Sequence, residues 1–91
     1  MIEPKKSVGD LAAVIEAVDK QLAEDIPAIT RVTFERLKSE GVSEYDAKVM
    51  IGSVFAREIR RIVLGAKRLN LKRYAENLKR LSADSWNNNG W

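Results

Sequence analysis

Residues 43–66, SEYDAKVMIGSVFAREIRRIVLGA, are enough for about six helical turns, and they contain an uncharged run from Val49 to Ala56. Water would not tolerate that run on every side, so this segment constrains the fold more than any other. At about 100° per residue, Ala47, Ile51, Val54, Phe55, Ile59, Ile62, Val63 and Ala66 share one broad arc, and Ser53, Arg57, Arg60, Arg61 and Lys67 share the other. The pattern predicts a long central helix with one half in a core and one half in water. Val49 and Leu64 fall outside the main arc, which predicts a further apolar partner, most simply a second copy of the chain.

The other segments supply what that helix needs. Leu11, Ile15, Val18, Leu22 and Ile26 recur at intervals of four and three, the seam of a helix packing along a neighbour. Ser7 or Asp10 is its expected start, and Glu16, Lys20, Gln21 and Glu24 lie off the seam. Pro27 ends this helix and suits the first turn of the next, where its missing N–H costs nothing. The second helix is expected over 28–40, with Ile29, Thr33, Phe34 and Leu37 inward and Arg31, Glu35 and Lys38 outward. Gly41 closes it in the left-handed conformation. Ser43-Glu44-Tyr45-Asp46 then resembles a capping box, with Val42 and Ala47 placed for a hydrophobic staple.

After the central helix, Asn70 is the expected N-cap of a fourth. There Leu71, Tyr74, Ala75, Leu78 and Leu81 face in, and Lys72, Arg73, Glu76, Lys79 and Arg80 face out. No segment shows the period of two that marks a strand. The expected fold is an all-α, up-and-down bundle of four helices over 7–25, 28–40, 43–66 and 70–82. It forms one domain over residues 1–84, and residues 85–91, with Trp86 and Trp91, are a frayed tail.

Composition removes much chemistry. The 91 residues include no cysteine and no histidine, so there is no disulfide, thiolate nucleophile, imidazole base or Cys/His zinc site. Di-metal carboxylate bundles need Glu-x-x-His motifs, and these are missing too. No cofactor and no metal are expected. No stretch reaches the roughly 18–20 apolar residues of a membrane span, and the polar start does not read as a signal peptide. A cytoplasmic protein without a membrane partner is the expectation. The net charge of +3 conceals a division: residues 1–46 carry six Lys/Arg against ten Asp/Glu, and residues 47–91 carry ten against three. Such a split suits helices of opposite charge lying side by side, subunits paired head against tail, or an anionic partner.

Two constellations stand out. Glu58 lies between Ile51 and Val54 on the angular count, inside the apolar arc, where a carboxylate must be paired or protonated. Tyr74, Arg31 and Arg36 are the candidate partners, and a polar pocket for a small cation or amine is the sharper alternative. Lys48, Glu58 and Tyr74 do not by themselves make an acid/base site, because sequence shows neither their distances nor their acidities. The second constellation is basic: Arg57, Arg60 and Arg61 on the outward arc, continuing through Lys67, Arg68, Lys72 and Arg73 to Lys79 and Arg80. This set could track phosphates, although cations near helix C-termini are also favourable for stability alone. A helix-turn-helix reading of the second and central helices fails, since Glu44 and Asp46 would lead into the DNA groove.

From Pro27 to Leu81 the order of features resembles a family of small prokaryotic proteins known as a domain of unknown function. The matching residues are Pro27, Arg31, Phe34-Glu35-Arg36-Leu37, Gly41, Ala47, Glu58-Ile59, Tyr74, Leu78 and Leu81. The resemblance implies an all-helical domain and supplies no activity. Many members carry histidine near the start of the long helix, where this chain has Lys48 and Val49, so a histidine-dependent role does not carry over. The resulting expectation is a non-enzymatic helical interaction or assembly module that forms a homodimer or binds another protein. The alternative is a nucleic-acid-binding accessory protein using the basic half.

Overall fold

A computed structural model describes residues 11–65 and 68–84, and these form the expected all-α bundle of four helices: α1 (Leu11–Glu24), α2 (Ala28–Ser39), α3 (Glu44–Val63) and α4 (Leu71–Lys79). The expected cap at Ser7 or Asp10, the last residues of the central segment at 66–67, and the tail at 85–91 lie outside the described residues.

The boundaries follow from local chemistry. Gly41, at φ 95°, ends α2; its N–H reaches the Lys38 carbonyl at 3.0 Å and the Val42 N–H reaches the Leu37 carbonyl at 3.0 Å. This pair of bonds satisfies carbonyls that a helix end otherwise leaves open. Ser43 starts α3, its hydroxyl accepting the Asp46 N–H at 3.0 Å. Asn70 starts α4, its side-chain oxygen accepting the Arg73 N–H at 2.9 Å. Pro27 departs from its expected place: it is the N-cap of α2 rather than a first-turn residue, and its carbonyl accepts the Thr30 N–H at 3.0 Å.

α3 touches each of the other three helices, so the core assembles around it. Met50, Ile51, Val54 and Ala47 of α3 are buried with Val18 and Leu22 of α1, Phe34 and Leu37 of α2, and Tyr74, Leu78 and Leu81 from α4 and just beyond it. Each fully buried leucine contributes roughly 1.5–3 kcal/mol before chain entropy is subtracted. Gly52 is buried in mid-helix, where a glycine costs about 1 kcal/mol relative to alanine. The reason is steric, since a β-carbon there would collide with the Val14 side chain. Moving along α1 from Val14 to Asp19, the partner on α3 shifts from Gly52 back to Lys48. The two helices therefore cross with opposed senses, a refinement of a plain up-and-down order, which would run them in the same sense.

The apolar arcs are covered over a shorter length than their sequence pattern implies. Leu11, Ile26, Val63 and Leu71, all expected inside, are 47, 67, 73 and 54% exposed. Each lies at a helix end or in a junction. Ile26 follows Asp25, whose positive φ of 57° turns the chain away from α1, and Val63 closes an α3 whose last buried residue is Glu58. Among the described residues, no helix is long and apolar enough to cross a membrane.

Candidate functional site

Glu58 is 2% exposed, and its partner is Arg73. Arg73 Nε donates to Oε2 at 2.7 Å and Nη2 donates to Oε1 at 2.9 Å, a two-pronged match of guanidinium to carboxylate. The Asn70 backbone adds a hydrogen bond. Glu58 thus sits at the N-terminus of α4, where unpaired N–H groups favour an anion. The Arg73 hydrogen bonds hold the carboxyl below its usual range; burial opposes this, and the charges of Arg73 and Arg61 reinforce it.

This corrects the expected pairings with Tyr74, Arg31 or Arg36. It also moves Arg73 off the outward face, since its side chain is only 34% exposed and folds onto Glu58. A signal for the pair was present in the sequence. Glu58 precedes and Arg73 follows the α3–α4 connection, each within about two helical turns of it, as partners across a helical hairpin do.

Tyr74 belongs to a different group. It is fully buried, its hydroxyl donates to Gln21 Oε1 at 3.0 Å, and the Thr30 hydroxyl donates to the same oxygen at 2.6 Å. Burial pushes the Tyr74 phenol up, with Thr30 and Gln21 opposing. Its ring also meets Phe55 edge-on, with centroids 5.8 Å apart. Gln21, expected off the seam of α1, is turned inward as the shared acceptor, and Thr30 is wholly buried.

Arg31 forms a third, separate arrangement. Its Nη2 donates to the Leu22 carbonyl at 2.6 Å, near the end of α1, and its guanidinium lies 3.4 Å from Asp25 and 3.9 Å from Glu35. The trio Glu58, Tyr74 and Arg31 is therefore not one polar site. Arg73 fills the position beside Glu58 that a small cation would take. Arg36 closes the other end of α4, donating to the Leu78 carbonyl at 3.0 Å and to Glu40 at 2.8 Å.

The basic set is divided in the same way. Arg57, Arg60, Arg61, Arg68 and Lys72 are exposed, Arg73 is committed to Glu58, and Lys67 lies outside the described residues. Lys48 is held by Asp19 at 2.7 Å and Glu44 at 3.6 Å; the Asp19 hydrogen bond is the main reason its ammonium is raised further. Arg60, Arg61, Arg68 and Lys72 make no ion pair among the described residues. They flank the α3–α4 junction, where Val63, Leu64 and Leu71 are 73, 79 and 54% exposed. Among the described residues, no three His, Cys, Asp or Glu side chains come together as a metal site would need. Comparison with protein-family models, with curated proteins and with solved structures finds no match.

Proposed function

We propose that the protein is a non-enzymatic helical interaction module that self-associates, most simply as a homodimer. The observation that carries this reading is the exposure of Val63 and Leu64 at the end of α3, the most exposed large apolar side chains among the described residues. Leaving such side chains in water forgoes roughly 1.5–3 kcal/mol each, which a partner surface recovers. A chain without cysteine suits the reducing cytoplasm. Sedimentation velocity over a range of concentrations tests the reading: a dimer fraction that grows with concentration and shrinks in Leu64→Glu supports it, and a strict monomer at high concentration overturns it.

A second reading rests on Arg60, Arg61, Arg68 and Lys72, whose exposed charges could follow a phosphate backbone. Titration with duplex and single-stranded oligonucleotides at two salt concentrations tests that idea. Absence of binding even at low salt ends it.

A further inference from the structure

The described helices leave one face of α3 uncovered. α3 meets α1 at Lys48 and Gly52, which lie against Asp19 and Val14, and it meets α4 at Phe55 and Glu58, which lie against Tyr74 and Arg73. Ala47, Met50, Ile51 and Val54 complete the buried side. What remains is an arc of about 100° holding Tyr45, Val49, Ser53, Ala56 and Arg60, with Leu64 just beyond the last turn. Tyr45 and Leu64 are 55 and 79% exposed, and Val49, Ser53 and Ala56 between them are half-buried. Small side chains in the middle of a helix face let another helix approach closely.

The two ends of this face are opposite in sign. Asp46 stands at its edge near the start of α3, and Arg60 stands on it near the end. Both are exposed, and neither makes an ion pair among the described residues. Ser53 lies midway, seven residues from each.

We propose that this face is the self-association surface, and that the α3 of a second copy lies antiparallel across it about a two-fold axis at Ser53. The proposal rests on the self-association reading and adds to it the surface and the geometry. Such an axis sets each residue opposite the one equally far on the other side, so every contact occurs twice and the assembly closes. Asp46 of each copy then meets Arg60 of the other, and Leu64 comes over Val42, just before the other α3. Val49 and Leu64, the two apolar residues of α3 outside the arc that serves the core, are thereby covered. A parallel pairing would set like charges together at both ends. A nucleic acid would attract Arg60 and be repelled by Asp46 on the same face, whereas a second copy satisfies both.

The first experiment exchanges the two charges. Asp46→Arg and Arg60→Asp are made singly and together, each protein being checked for a retained helical melt by circular dichroism. By sedimentation velocity, each single reversal should dimerise about tenfold or more weakly than the wild type, because it sets like charges together twice. The protein with both reversals should regain wild-type affinity. The second experiment uses the absence of cysteine from the chain. Ser53→Cys places one thiol at the axis and should cross-link into a disulfide dimer under mild oxidation much faster than Glu76→Cys, whose thiol would stand on the exposed side of α4; this comparison decides even where a reversed protein fails to fold. If the wild type dimerises but folded single reversals do not weaken it, the folded double reversal does not recover, or Ser53→Cys links no faster than Glu76→Cys, this arrangement is overturned and self-association stands. If the wild type stays monomeric, both fall.

Discussion

The Glu58–Arg73 pair and the Gln21–Thr30–Tyr74 group both fasten the start of α4 to the rest of the bundle, one to α3 and the other to α1 and α2, but they do so with different physics. In the first, a buried carboxylate meets a guanidinium that still reaches water, so one partner has an alternative and the other does not. In the second, two neutral hydroxyls share one amide oxygen, and the residues that bear them are both buried. The contrast teaches that the cost of breaking a polar contact depends on which member is stranded.

Arg73→Ala sharpens that asymmetry most. It leaves the Glu58 charge buried without its main partner, and it is expected to give the largest loss of stability in this set. Glu58→Gln, which strands nothing charged in the interior, should cost clearly less; equal losses in urea denaturation would break the argument. Next is Gln21→Leu, which removes the acceptor of two buried hydroxyls and should cost roughly 2 kcal/mol, within the range for stranded polar groups. Tyr74→Phe removes one hydrogen bond only and should cost about 1 kcal/mol.

The two groups should also separate by pH. Glu58 is depressed on folding, so its contribution is present above the ordinary carboxyl value of 4.5 and is lost as pH falls through its folded value. Tyr74 is raised on folding, so its contribution is present below 10.0 and is lost as pH rises past that value. Thermal melts across pH should therefore show a shallower acid limb in Glu58→Gln and a shallower alkaline limb in Tyr74→Phe. The smallest effect is expected for Arg31→Ala. That exposed side chain belongs to neither group, and its removal should change stability by no more than about 1 kcal/mol.

Much of the fold was legible because helix ends are written locally. Gly41, Ser43 and Asn70 each act through their own conformational freedom or a side-chain oxygen within a few residues, and all three ends fall where they are expected. The arcs were legible in direction but not in extent, because coverage of Leu11, Ile26, Val63 and Leu71 depends on where neighbouring helices stop. Met50 is fully buried although the expected apolar arc of α3 does not include it, and Gly52 is buried through the approach of α1, which no count along α3 reveals.

Glu58 announced its burial by lying among apolar neighbours. Its partner was hidden because an arginine assigned to the outer face by angle has a stem long enough to fold back across the helix surface. Gln21 departs from its expected place off the α1 seam for the same reason: a flexible side chain at the edge of an arc can serve either side.

The notch at Gly52 also bears on the order in which the chain assembles. α2 with α3 and α3 with α4 are hairpins of neighbours in sequence, whereas Val14 must find Gly52 at a sequence separation of 38, and closing a long loop is slower than closing a short one. Its end can meet α2 locally through Gln21 and Thr30, but the seat of α1 on α3 is expected to close last, a bolt drawn across a frame already standing. A methyl group placed in its slot should speed its withdrawal far more than it slows formation of the three-helix frame.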